Sequence, residues 1–443
     1  MIGDSTISGS KSPFQRIMRN MGHLLSGKAV AGIMSMVYIA LAARALGVGG
    51  YGTLNLVHAY ATFFGTLLAL SGFHGIVRYG ARSLQAMDYV NFWALVRLLA
   101  AIELSMAFVA MICAALLSPF AVNLLHLSDA AAEWMIYYVL AIFATARATP
   151  QGVLQLANRF DLIGLQQTVM PVVRLIGVAI LWWFGAGLTG FLFVWLVSAL
   201  LEGLSMWVIA YVVARRKGWV SQTNFSVKEI LGAHDGLVRF VGVTNIDLTL
   251  RDLAPKATPL IIGWMLGPVA TGLYVLAQRA SAVLVQPAQL LSQASYSVIA
   301  ELAVGLQFAK ANAALRKSIA MAATGGGAAA ILFTLFPQQI LQLLGGRAFA
   351  AGGDLLIMIG LASAILSITP VLSAAVTAFG YPGRSTAINL SCSLGTLPLL
   401  FFLLGQFGVN GAGIYALIQS ILFTVLLALS YHHLYGRIAN SAA

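Results

Sequence analysis

The stretch NIDLTLRDLAPKATPLIIG, Asn245 to Gly263, sets Asp247, Arg251, Asp252 and Lys256 at the mouth of a long apolar run. Asp247 to Arg251 and Asp252 to Lys256 are both spaced i,i+4 with the acid first, the favourable order for helical ion pairs. The pairs are offset by five residues, which at about 100° per residue turns their faces about 140° apart, so both cannot point at one neighbour. Pro255 and Pro259 free backbone groups that hydrocarbon cannot satisfy. The charges therefore either neutralise one another along the helix or line a polar pathway, and the prolines favour the pathway. Other apolar runs hold Arg97, Glu103, Arg147, Arg174, Glu202 and Arg279, and a charge at bilayer centre costs at least about 2.5–3.5 kcal/mol. Arg97 lies near enough to the end of its run to snorkel. With it, six bases stand against four acids, and the interior is net cationic. Such an interior suits an anionic ligand held by Arg147, Arg174, Arg251, Lys256 and Arg279. Glu103, Glu202, Asp247 and Asp252 are the groups able to carry a proton or sodium ion, since desolvated carboxylates titrate upward while arginine partners keep them ionised.

Membrane helices must position these residues. Of 443 residues 60% are hydrophobic and 9% charged, against about 25% charged in a soluble domain, and the mean hydropathy is +0.90. Apolar runs of the roughly 20 residues that span a bilayer predict twelve helices, over 22–46, 51–74, 90–117, 131–157, 164–184, 189–213, 237–266, 271–299, 317–343, 354–379, 385–407 and 411–434. Pro150, Pro171, Pro287 and Pro370 fall inside four of them and are expected to kink them. Lys and Arg gather in the N-terminal tail and alternate loops, as at Arg78, Arg82, Arg215 and Arg216, while the opposite side offers Arg44 and Arg347. The positive-inside rule then puts both termini in the cytoplasm, and much of the +12 formal charge is topology, not a nucleic-acid site. The expected organisation is a cytoplasmic tail 1–21, a six-helix lobe 22–213, a cytoplasmic loop 214–236, a second six-helix lobe 237–435 and a cytoplasmic tail 436–443. His58 and His74 lack a ligand partner at useful spacing, and Cys113 and Cys392 lie in apolar runs. Neither metal, disulfide nor cofactor is expected.

The lobes repeat each other. LGVGGYGTLNL from Leu46 and LGPVATGLYVL from Leu266 match at Leu46/Leu266, Gly47/Gly267, Gly52/Gly272 and Leu56/Leu276. Six spans separate the copies, so the repeats are parallel, the organisation of transporters with a site between two lobes. GVGGYG formally satisfies the dinucleotide fingerprint, but that site needs a βαβ unit; here glycines make a tight turn between membrane helices. The ARALGVGGYGTLNL turn, the LANRFDLIGLQQTV segment and the IIGWMLGPVATGLYVLAQRA junction resemble the polysaccharide-transport branch of the multidrug/oligosaccharidyl-lipid/polysaccharide exporter superfamily, over nearly the whole chain.

That resemblance implies an all-α, V-shaped pair of six-helix bundles working by alternating access in the bacterial inner membrane. It implies a flippase, not an enzyme, whose substrate is an oligosaccharide on polyprenyl diphosphate, with the tail left in membrane lipid and with other polysaccharide-assembly proteins as partners. Guanidinium forks match diphosphate oxygens bidentately. Gln151, Gln155 and Gln278 are candidates for hydrogen bonds to sugar hydroxyls, the alternative being bonds between helices. An ion-coupled multidrug exporter of the same fold would want an acid-dominated cavity for cationic drugs. Peptidoglycan-precursor flippases carry two additional C-terminal spans, which are not found here. A membrane glycosyltransferase or polymerase needs catalytic acids on a sizeable outer loop, and the outer loops are short, with Asp129, Glu133 and Asp354 as the acids in or beside them.

Overall fold

The computed structural model describes residues 13–221, 226–304 and 307–442. The expected tails, 1–21 and 436–443, and residues 222–225 of the expected loop lie outside the described side chains. Apolar sequence in lipid must satisfy its backbone within each segment, and the described residues accordingly form helices and turns with no strand. Fourteen described helices exceed seven residues: α1 (Pro13–Leu67), α2 (Tyr89–Leu124), α3 (Asp129–Tyr138), α4 (Ala148–Leu156), α5 (Val169–Trp183), α6 (Leu188–Arg216), α7 (Leu237–Val304), α8 (Phe308–Leu335), α9 (Pro337–Gly345), α10 (Gly353–Leu366), α11 (Thr369–Ala378), α12 (Pro382–Gly395), α13 (Leu397–Phe407) and α14 (Asn410–Ala442).

The repeated motif becomes a repeated bend. Within α1 the chain leaves helical angles at Gly47 (φ 65°, ψ −177°), and within α7 at Gly267 (φ 79°, ψ −176°). That region of backbone space is essentially reserved for glycine. The turn expected over several residues is thus one residue wide, and two spans join end to end on either side of it. Five residues further on, the copies meet: a Cβ on Gly52 would strike the Pro268 carbonyl, and one on Gly272 would strike the Val48 carbonyl. The small residues let two backbones cross at close range, so the motif is also the contact between halves.

Nine described stretches are long and apolar enough to cross a membrane. Two of them, Val30–Leu67 and Leu237–Ala282, contain the glycine bends and each read as two helices. The segment 129–156 does not qualify because it is interrupted: α3 runs into a 3-10 turn over Val139–Thr145 before α4 restarts at Ala148. With these three adjustments the segments correspond to the twelve runs of the hydropathy pattern.

α1 packs against α2, α5, α6 and the 3-10 turn, while α7 packs against α8, α10, α11 and α12. The halves join chiefly through α1 on α7. The largest buried cluster spans both, from Tyr51, Leu54 and Leu56 to Leu276, Phe349 and Leu400. At the far end of α1 the helix stops at Leu67, and Asn245 of α7 takes the broken backbone: its Oδ1 accepts the Ser71 N–H at 2.5 Å and its Nδ2 donates to the Ser71 carbonyl at 3.1 Å.

Candidate functional site

The interruption after α3 creates the first half of the site. Pro150 lies in the first turn of α4, where its ring is tolerated but its missing N–H leaves the Ala146 carbonyl without a helical partner. Trp207 Nε1 of α6 donates to that carbonyl at 2.8 Å. Ala146 and Arg147 leave helical angles, with Arg147 at φ −139°, ψ 7°. The N–H groups exposed at the new helix start go to one carboxylate: Ala148 N–H donates to Glu103 Oε1 at 2.7 Å and Thr149 N–H to Oε2 at 2.9 Å. Glu103 is 4% exposed, and an acid is the favourable group at a helix N-terminus. It holds α4 in place, with both oxygens engaged.

Arg147, the residue just before α4, turns its side chain onto Glu202 of α6, with 2.5 Å between Nη1 and Oε1. Gln151 and Gln155 follow it at successive turns of α4, both half-buried, and their side chains make no hydrogen bond among the described residues. The three form a polar stripe.

Arg174 of α5 is 3% exposed and stands inside the wall. Its Nε donates to Ser198 Oγ at 2.9 Å and its Nη1 to Tyr38 Oη at 3.4 Å. The guanidinium carbon lies 4.6 Å from the Trp195 ring centre and 5.6 Å from that of Tyr38. Aromatic faces partly compensate a cation in a desolvated site, and no acid lies within ion-pair distance among the described residues. Expected as a direct contact, Arg174 instead projects its charge from behind aromatic side chains, because α5 is packed against α1 and α6 at that level.

Lys256 and Arg279 lie on opposite sides of the Gly267 bend, and the bend folds them back toward each other. Arg279 is exposed and Lys256 half-buried. Among the described residues neither forms an ion pair, so of the two i,i+4 pairings open in the sequence Asp252–Lys256 is absent while Asp247–Arg251 forms at 3.0 Å. Lys256 is within electrostatic reach of Arg279, Asp252 and Arg147. His58 is reached by Arg174, Lys256 and Arg279 together, and its Nδ1 lies 2.9 Å from Tyr138 Oη. The structure thus brings Arg147, Arg174, Lys256 and Arg279 into one electrostatic neighbourhood.

Arg251 is committed elsewhere, to Asp247 and, through Nη2, to Thr386 Oγ1 of α12. Gln278 lines a separate cavity in the second half. Asp252 is exposed. His58, set aside in the sequence for want of a metal-ligand partner, joins the neighbourhood of Arg174, Lys256 and Arg279. Tyr51, Asn55, His58 and Thr62 recur at helical spacing down one face of α1, and that polar stripe in an apolar span was the available signal.

A family model described as polysaccharide biosynthesis protein matches residues 17–303. The chain belongs to that family. A curated relative, the inner membrane protein YghQ of Escherichia coli (strain K12), is 27% identical over 289 residues, 65% of this chain and 81% of its own. Among solved structures, an inward-facing multidrug resistance transporter of the MATE family in the multidrug/oligosaccharidyl-lipid/polysaccharide superfamily superposes with a TM-score of 0.69 at 14% identity, covering 92% of this chain and 95% of that one. The lipid II flippase MurJ in an inward closed conformation gives 0.70 at 13% identity, covering 94% and 89%. This member of the polysaccharide biosynthesis family therefore has the all-α membrane fold of that transporter superfamily.

Proposed function

We propose that this protein is a flippase that moves a polyprenyl-diphosphate-linked oligosaccharide, such as an O-antigen, capsule or exopolysaccharide repeat unit, from the cytoplasmic to the periplasmic leaflet of a bacterial inner membrane. The observation that carries the reading is the pair Lys256 and Arg279, two cations that form no ion pair among the described residues and that act with Arg174 on His58. A diphosphate compensates such charges, and the charges shield it from hydrocarbon while the polyprenyl tail stays in lipid. The halves rock about the α1–α7 contact, so the headgroup faces one leaflet and then the other, and no bond is made or broken. The family description, the curated relative's name and the lipid II flippase among the structural neighbours support this reading.

Ion coupling falls to Asp252. Glu103 and Glu202 are engaged by backbone N–H groups and Arg147, and Asp247 by Arg251. The same engagements disfavour an exporter of cationic drugs, which would need free acids facing its cargo.

The test is a strain lacking the protein. It should accumulate the lipid-linked oligosaccharide on the cytoplasmic leaflet, relieved by the wild type and not by Lys256→Ala with Arg279→Ala at equal protein level. Relief by that double variant, or drug sensitivity in place of accumulation, overturns the proposal.

A further inference from the structure

The second half contains a cavity of about 340 Å³, at the lower end of the ~300–1,000 Å³ typical of small-molecule sites. Both arms of α7 on either side of Gly267 enclose it, together with α10, α12 and α14. Among the described residues no charged side chain lines it. Its polar groups include Thr258, Tyr274, Gln278, Ser363, Tyr415 and Gln419.

Hydroxyls and amides at membrane depth must be bonded or wet. Internal bonds satisfy them only in part. Gln419 Nε2 donates to Tyr415 Oη at 3.0 Å, and Gln278 Nε2 lies 3.4 Å from Tyr274 Oη. Among the described residues the amide oxygens of Gln278 and Gln419 accept nothing, and the Tyr274 hydroxyl has no acceptor for its proton. Two amide acceptors, a hydroxyl donor and two tyrosine rings match an uncharged polyhydroxyl ligand, whose O–H groups donate to amides and whose ring C–H faces rest on aromatic carbon.

The cavity and the cationic wall share one helix. Gln278 lines the cavity and Arg279 belongs to the wall; Pro255 lines the cavity and Lys256 belongs to the wall. A ligand with an anionic end and a neutral polyhydroxyl end bridges the two. We infer that this cavity receives and selects the uncharged sugar next to the diphosphate, an inference that rests on the flippase reading. Affinity for the carrier then comes from the wall, and discrimination among sugars from the cavity.

The experiment measures equilibrium binding to the full-length protein in lipid nanodiscs. The probes are undecaprenyl diphosphate alone and the same lipid bearing N-acetylglucosamine, N-acetylgalactosamine, glucose or galactose. At least one sugar-bearing form should bind about tenfold tighter than the bare lipid, the worth of one or two hydrogen bonds. Gln419→Leu should remove that advantage while leaving bare-lipid affinity within about twofold. Ala416→Leu, which narrows the cavity without removing a polar group, should do the same with an unchanged melting temperature. If the wild type binds every form alike, or if both variants lose bare and sugar-bearing lipid equally, the cavity inference falls while the flippase reading stands. If the wild type binds none of the probes, both fall.

Discussion

Thr149-Pro150 and Thr369-Pro370 stand at the same offset as Gly47 and Gly267, and each proline lies in the first turn of a helix that restarts mid-segment. The two restarts are handled differently. In the first half, residues 146–147 leave helical angles, and Glu103, Trp207 and Glu202 gather around the gap. In the second half, Ser367 stands where Arg147 does, and Ser367 and Ile368 keep near-helical angles (φ −64°, ψ −26° and φ −79°, ψ −31°). Hydroxyls suffice there: Ser367 Oγ lies 2.7 Å from the Ala364 carbonyl and 3.1 Å from that of Ala322, and Thr369 Oγ1 lies 3.0 Å from Thr424 Oγ1. Where the restart keeps near-helical angles, hydroxyls bond it; where the chain leaves them, a carboxylate does. Glu103 repairs the backbone of the first half's gap, whereas the Arg147–Glu202 pair bonds no backbone group there, which is the argument for assigning that pair to the cargo and its support.

The largest expected effect separates the cationic wall from everything else. Lys256→Glu with Arg279→Glu replaces two charge-assisted contacts, each worth about 1.5–3 kcal/mol, with repulsion. Transport measured by leaflet accumulation should fall at least about 100-fold. A variant with near-normal transport would mean that the wall does not touch the cargo.

Next in size is the difference between the two restarts. Glu103→Leu orphans two buried N–H groups at about 1–3 kcal/mol each, whereas Thr369→Val removes one hydroxyl contact worth about 1 kcal/mol. Melting in detergent should show the first variant clearly less stable than the second. Equal losses would erase the contrast between a charged and a neutral repair. Arg147→Ser, which makes the first half resemble the second, should destabilise by about 1–3 kcal/mol because Glu202 loses its partner. Adding Glu202→Gln should recover most of that stability without recovering transport, which separates a role in folding from a role toward cargo.

Much of this contrast was legible in the sequence, and some was not. The glycine repeat showed because glycine at a bend leaves a mark at a fixed position. The two proline restarts share only Thr-Pro, too short a match to stand out in an apolar chain. Arg147 and Lys256 announced themselves through the cost of charge at depth. Arg174 did so equally, yet lies behind Tyr38 and Trp195, because a helical wheel fixes relative angles and leaves absolute rotation open. Glu103 could be read as an ion carrier because its partners are backbone N–H groups 45 and 46 residues away, which no local pattern encodes. The neutral cavity was the least visible, since its polar groups come from four helices and only Gln278 stood out.

The smallest expected difference, none at all, tests the symmetry that makes the comparison meaningful. Gly47 and Gly267 share nearly the same backbone angles, and a Cβ at either would meet nothing within 4 Å. Alanine therefore adds no clash at either site, and its cost is that of holding a side chain at positive φ, about 1–3 kcal/mol. Because the angles match, Gly47→Ala and Gly267→Ala should lower the melting temperature by equal amounts, and the double variant by their sum, since each bend is strained independently of the other. Equal losses would establish that the halves are mechanically equivalent, leaving the charged wall and the neutral cavity as differences of chemistry on one scaffold. A larger loss at Gly267 would place the moving hinge in α7, beside both Lys256 and Arg279, and would make the second half's bend the element that brings the two cations together.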